Sequence, residues 1–207
     1  VSACSSSTRG VFGGGSEISS PVNLATTNTI DYVTITATGN AVDFGDLTIV
    51  KNGIAACSSS TRGIFGGGSS PTASNVVDYI TLTTLGNATR FGDLTQARGN
   101  ISSCSNSTRG IFNGGSSGPT LYNIIDFITI ATTGNATDFG DLSTSRSYIG
   151  ATSSSIRGIF SGGYSTPAYT NTIEYITISS TGNAVDFGDL SVVRGGVAAC
   201  SNGHGGL

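Results

Sequence analysis

The sequence predicts an all-β protein, a β-propeller of four four-stranded blades forming a single domain over residues 1–207. Three observations predict it. Arg-Gly-Val/Ile-Phe, followed by a glycine run, begins at Arg9, Arg62, Arg109 and Arg157, at spacings of 53, 47 and 48 residues. Phe-Gly-Asp ends at Asp46, Asp93, Asp141 and Asp189, spaced by 47, 48 and 48 residues. No segment sustains a 3.6-residue apolar period, so almost no helix is expected. Four short strands in a unit of this length match a propeller blade, for which roughly 40–50 residues per repeat is usual; a β-solenoid coil needs only about half as many.

Within each unit the elements follow in a fixed order. The first strand is small and apolar, as in Asn52–Ser58. The second, as in Arg62–Gly68, ends on glycines able to take positive φ. The third, as in Asn75–Thr83, is rich in β-branched residues and carries an aromatic. The fourth contains Phe-Gly-Asp-Leu, and Gly-Asn pairs (Gly39-Asn40, Gly86-Asn87, Gly134-Asn135, Gly182-Asn183) suggest tight hairpin turns before it. Pro21, Pro71, Pro119 and Pro167 fall one per unit between the second and third strands, where a missing donor marks a connection. In the first unit this connection is expected to be a 12-residue loop, Ser16–Thr27. The units are about 1–50, 51–97, 98–145 and 146–193, with an extra inner-type strand and tail at 194–207. That first-strand pattern occurs five times and the others four, which leaves two arrangements open: a closed four-bladed ring with a spare terminal strand, or part of a larger or multi-chain ring.

Composition narrows function. Charged residues are 10% of the chain, well below the roughly 25% usual in soluble domains, yet apolar residues are too many for disorder. A net charge of −3 offers no basic face, so no nucleic-acid partner is expected. No run of 18 apolar residues and no signal-peptide pattern occurs, so no membrane insertion is expected. The chain begins at Val1 and contains no Met, which predicts a processed product or part of a longer protein.

The charges repeat with the units. Asp31, Asp78, Asp126 and Glu174 precede the third-strand aromatics; Lys51, Arg98, Arg146 and Arg194 recur between units. Together with Asp43, Asp138 and Asp186, and with Arg9, Arg62, Arg109, Arg157, Asp46, Asp93, Asp141 and Asp189, these slots hold 19 of 21 charged residues. The last eight are expected to form a structural frame of charge-assisted hydrogen bonds tying strands to turns. Asp43 heads a kinase-like Asp-Phe-Gly, but Arg90 replaces it in the second unit and would repel a cation there. No metal site is expected.

Enzymatic chemistry finds no foothold. Cys4, Cys57, Cys104 and Cys200 share one inner-strand slot and read as small buried apolar residues rather than a disulfide framework. His204 is the single histidine and has no triad partner. The glycine runs precede no helix, so they lack the helix-terminus part of a phosphate cradle. No catalytic residue and no cofactor are expected, and the protein reads as a non-enzyme.

The chain resembles the kelch-repeat propellers. Gly14-Gly15, Tyr32 and Phe44 stand at the kelch glycine doublet and the third- and fourth-strand aromatics, and recur as Gly67-Gly68, Tyr79 and Phe91; Gly114-Gly115, Phe127 and Phe139; and Gly162-Gly163, Tyr175 and Phe187. Phe stands where the fourth kelch strand commonly has Trp, and the chain has no Trp. The wording of the units, with the closing Ala-Ala-Cys-Ser-Asn-Gly-His-Gly-Gly-Leu, also resembles repeat proteins encoded by marine bacteriophages. That resemblance implies a structural or receptor-binding module of a tail fibre or virion surface, localised to the particle, with virion proteins or a host-surface glycan or protein as partner. The alternative is a secreted glycan-binding lectin or adhesin; a homo-oligomer is compatible with either. Tyr122, Tyr164 and Tyr169, in the proline-bearing connections, are the candidate ligand-binding residues.

Overall fold

Four small-residue strands, each followed by an Arg-Gly-Val/Ile-Phe strand, a β-branched strand and a Phe-Gly-Asp strand, fold into four antiparallel sheets in the computed structural model, which describes residues 1–20 and 23–201. Blade 1 consists of β1 (Ser2–Ser5), β2 (Arg9–Ser20), β3 (Asn23–Thr34) and β4 (Val42–Asp46). Blade 2 is β5 (Ala55–Ser58), β6 (Arg62–Gly66), β7 (Val76–Thr81) and β8 (Thr89–Asp93). Blade 3 begins with β9 (Ser102–Ser105) and β10 (Arg109–Asn113); the short pair β11 (Ser116–Ser117) and β12 (Thr120–Leu121) comes next, then β13 (Ile124–Thr129) and β14 (Thr137–Asp141). Blade 4 repeats that plan with β15 (Gly150–Ser153), β16 (Arg157–Ser161), the pair β17 (Tyr164–Ser165) and β18 (Ala168–Tyr169), then β19 (Thr172–Thr177) and β20 (Val185–Asp189). Each blade pairs its four main strands in chain order, and the described residues include no helix. The fold is a β-propeller.

Two local expectations change. The connection in blade 1 is not a 12-residue loop: Ser16 pairs with Thr26 and Glu17 with Ala25, so β2 and β3 continue as one long hairpin. Pairing gives backbone groups partners that a loop would leave to water. Pro21 lies outside the described residues. The Gly-Asn pairs do not form two-residue hairpins either; they sit in the connections 35–41, 82–88, 130–136 and 178–184. Their work is between blades. The Gly86 N–H donates to the Phe44 carbonyl at 2.9 Å and the Ala88 N–H to the Asp46 carbonyl at 2.7 Å, while Asn87 Oδ1 accepts the Asp46 N–H at 3.0 Å. The blades approach so closely here that a Cβ on Gly45 would lie 2.6 Å from the Gly86 backbone, which is why the residue after the Phe must be Gly.

The core is divided among blade interfaces. One face of blade 1 (Cys4, Val11, Ile30, Phe44, Leu47) packs against the opposite face of blade 2 (Ile54, Phe65, Ile80, Leu82, Ala88). The same packing recurs from blade 2 to blade 3 and from blade 3 to blade 4. Strand alternation presents one apolar set to each neighbour. Third- and fourth-strand aromatics meet edge-to-face within each blade, as in Tyr32–Phe44 at 5.9 Å and Tyr79–Phe91 at 6.0 Å. Inner strands are linked by serine hydroxyls donating to the preceding strand's carbonyl: Ser58 to Ser5 at 2.8 Å, Ser105 to Ser58 at 2.8 Å and Ser153 to Ser105 at 2.7 Å.

Candidate functional site

The repeated charges divide into two working groups. Lys51, Arg98 and Arg146, each in the connection leaving a blade, are fully buried and pair with the third-strand acid of the next blade. Lys51 Nζ lies 3.1 Å from Asp78 Oδ2 and Arg98 Nη2 lies 2.9 Å from Asp126 Oδ2; Arg146 Nη2 meets Glu174 Oε2. Hydroxyls donate to two of the acids, Thr48 Oγ1 to Asp78 and Thr95 Oγ1 to Asp126, both at 2.6 Å, and the Ser143 N–H donates to Glu174 at 2.8 Å. Burial pulls the pKa of all three cations down, against the facing acid. Burial pushes Asp126 up, opposed by Arg98 and by hydrogen bonds from Thr95.

The second group is the frame expected from Arg9, Arg62, Arg109, Arg157 and the Phe-Gly-Asp acids, and its two halves do not meet. The arginines stack instead on the aromatic of their own third strand, with guanidinium carbons 4.9, 4.7, 4.7 and 4.6 Å from the rings of Tyr32, Tyr79, Phe127 and Tyr175. Arg9, Arg62 and Arg109 also donate to the next blade, to the carbonyls of Leu82 (2.7 Å), Ile130 (2.9 Å) and Ile178 (2.8 Å). At Asp46, Asp93 and Asp141 the N–H is held by the next blade's Asn, at 3.0, 3.1 and 3.0 Å. Among the described residues, the one ion pair at these acids is Arg90–Asp93. Asp189 has no such Asn or ion-pair partner among the described residues. Asp43 accepts the Gly45 N–H at 3.1 Å, a local turn contact.

Three cysteines are packing groups. Cys4, Cys57 and Cys104 are free and buried, and Cys200 is free and exposed. A Cβ on Gly63, Gly110 or Gly158 would lie 2.8, 2.9 or 2.8 Å from the sulfur of Cys4, Cys57 or Cys104, so each thiol fills the space over the next blade's glycine. Burial pushes Cys4 and Cys104 up to about 12 and raises Cys57 too, which keeps them as unreactive thiols. Among the described residues no three His, Cys, Asp or Glu side chains gather as a metal site. His204 lies outside the described residues.

The structure brings two of the three candidate tyrosines together. Tyr164 and Tyr169 are cross-strand partners in β17–β18, with rings 5.4 Å apart, and Tyr169 is 53% exposed. Tyr122 sits in blade 3, partly buried; its N–H donates to Gly115 O at 3.0 Å and its carbonyl accepts from Arg146 N at 3.1 Å. No ring contact joins it to the other two among the described residues. Sequence reasoning missed Tyr148. Ser147, its neighbour, exchanges hydrogen bonds of 3.0 and 2.8 Å with the Tyr164 backbone. Tyr148 is 50% exposed with φ of 57°, in a slot that Gly53, Asn100 and Gly196 fill with φ of 59°, 52° and 67°. A tyrosine where the other units have Gly or Asn was the available signal. Left-handed backbone costs a non-Gly residue roughly 1–2 kcal/mol. Blade 4 therefore carries Tyr148, Tyr164 and Tyr169 around the connections at one end of its strands.

The inner strands surround a central cavity of about 480 Å³, lined by small and aliphatic side chains with no charged side chain among them. It holds no nucleophile–base pair. The class defined by this architecture is the β-propeller, with repeated buried ion pairs between blades. In three dimensions the chain is similar to a solved structure described as the structure of YjhT, with a TM-score of 0.80 at 10% identity, over 96% of this chain and 72% of that one. At that identity the likeness is one of fold. No protein-family model and no curated protein matches the chain.

Proposed function

We propose that the protein is a non-enzymatic structural or receptor-binding module of a bacteriophage particle, in a tail fibre or on the virion surface, that binds the host surface or neighbouring virion proteins. The kelch-like slots and the phage-like wording of the units support this reading. The observation that carries it is the aromatic group on blade 4. Tyr148 keeps an unfavourable φ of 57° while half exposed, beside a Tyr164–Tyr169 pair whose outer ring is 53% exposed. The scaffold fixes this conformation, since the Tyr148 N–H donates to Asn100 O at 3.3 Å and its carbonyl accepts from Gly196 N at 2.9 Å, so the exposed ring stands at a defined position. Exposed tyrosines supply contact area at low conformational cost.

The alternative, a secreted glycan-binding lectin or adhesin, draws on the same rings, since aromatic faces stack on sugars and phenol hydroxyls bond to them. Binding of labelled protein to a panel of marine bacteria separates the readings. Wild type is expected to bind a subset of cells, and Tyr148→Gly to fold normally and bind at least about tenfold more weakly, the size of one lost aromatic anchor. Antibodies to the protein should decorate particles in a marine viral fraction. Glycan-array hits without particle labelling would favour the lectin, and equal binding by Tyr148→Gly would remove the tyrosine site.

A further inference from the structure

The two ends of the blade array each present an uncovered face. Phe65, Phe112 and Phe160 are 0% exposed, but their blade 1 equivalent Phe12 is 40% exposed. Leu82, Ile130 and Ile178 are at most 1% exposed, against 55% for Ile35. At the other end Phe44, Phe91 and Phe139 are 3–4% exposed and Phe187 is 51%. The ends of the array therefore do not cover each other, and the four blades do not close a ring by themselves.

The polar contacts are split in the same way. Each internal interface joins a cation of one blade to an acid of the next; Arg194 and Asp31 are the members left over, and neither has an ion-pair partner among the described residues. The N–H groups of Gly86, Gly134 and Gly182 reach the Phe carbonyl of the preceding blade at 2.9, 2.9 and 2.7 Å, while the Gly39 N–H has no such partner among the described residues. Cys200 is exposed, and Gly10, unlike Gly63, Gly110 and Gly158, meets no sulfur.

The fifth inner segment occupies the next position in the array, after blade 4. A Cβ on Gly162 would meet Val197 and Leu190, as one on Gly67 would meet Ile101 and Leu94 and one on Gly114 Ile149 and Leu142. The Ser201 hydroxyl donates to Ser153 O at 2.7 Å, continuing the serine series. Residues 197–201 thus stand where the inner strand of a fifth blade belongs.

We propose that the two open faces are the sides of a single gap in the propeller ring, filled by about two further units of this same repeat, one of which takes Val197–Ser201 as its inner strand. The first added unit supplies a third-strand acid for Arg194 and a Phe against the Phe187 face. The last supplies a cation for Asp31 and a Phe-Gly-Asp-Leu segment over Phe12 and Ile35. The similar solved structure has 28% of its length outside the matched 72%, which in proportion is between one and two of these units.

The test extends the chain by placing a second copy of residues 59–148 after Ser201, which adds two complete blades. Hydrogen exchange at the Gly39 and Ala41 amides is the readout, since these are the unbonded counterparts of Gly86 and Ala88. Closure is expected to slow both by at least about 100-fold relative to the 207-residue protein, to the level of Gly86 and Ala88. Unchanged exchange in a folded extended chain would overturn the proposal. A second measurement needs no extension. By sedimentation the 207-residue protein is expected to have the same mass with and without Phe187→Asp; a dimer that this substitution splits would make a second copy the occupant and sink the idea.

Discussion

Replacing Asp126 with Ala removes the anion that Arg98 Nη2 meets at 2.9 Å, with both side chains 0% exposed. The guanidinium stays in place, because Nη1 donates to Ile124 O at 3.0 Å and Nη2 to Phe112 O at 3.4 Å. It is then a buried cation with two carbonyls and no counterion. Breaking such a pair costs about 3–5 kcal/mol, a large share of the roughly 5–15 kcal/mol typical of a folded domain. At about 2–4 °C per kcal/mol for a chain of this length, the midpoint should fall by about 6–20 °C. Urea titration followed by circular dichroism, with calorimetry alongside, measures both quantities. Arg98→Met combined with Asp126→Leu should recover most of the loss, since an apolar pair needs no desolvation. Recovery stays incomplete because Thr95 Oγ1 and the Ile124 carbonyl lose their partners. A cost below about 1 kcal/mol for Asp126→Ala would refute the argument, because the pair would then behave like a surface salt bridge.

The remaining predictions use the repeat as its own control. Phe65→Ala should cost about 3–5 kcal/mol and Phe12→Ala clearly less in the same urea assay, since one ring is 0% and the other 40% exposed. Gly110→Ala should destabilise by about 1–3 kcal/mol through its clash with Cys57, while Gly39→Ala, with open space around it, should be near neutral. Ellman's reagent should titrate Cys200 quickly, leaving Cys4, Cys57 and Cys104 until unfolding. The same thiols set an alkaline limit. Their folded pKa lies above the ordinary 9.0, at about 12 for Cys4 and Cys104, so the unfolded chain releases protons first. Stability is then complete below pH 9.0 and lost as pH rises towards about 12, with a shallower fall in Cys104→Ala.

Repetition made most of the fold legible. Four copies of each strand pattern set the strand order, the glycine doublets take the positive φ expected of them at 59° and 112° in Gly14 and Gly15, and Phe44, Phe91 and Phe139 are buried blade aromatics. Local properties carry that information, because side-chain alternation and glycine conformation depend on near neighbours in the chain. The pairing of charges was not legible. All five charge slots could be read, but the cation that meets Asp126 lies 28 residues away across a blade boundary, and slot counting cannot choose it from the others. The Gly-Asn pairs misled for the same reason: their hydrogen bonds go to the neighbouring blade, not across a hairpin.

At the candidate site the proline-bearing connections pointed to Tyr164 and Tyr169. Only the fold put Tyr148 in their company, through the bridge from Ser147 to Tyr164. The sequence by itself determined the unit, its strands and which residues repeat, since each follows from pattern along one chain. Tertiary structure alone decided which cation faces which acid, and that Phe12 and Phe187 stay uncovered while their equivalents are buried. Those outcomes depend on what lies across each blade's face, and the repeat writes the same residues on every face whether or not a neighbour is there.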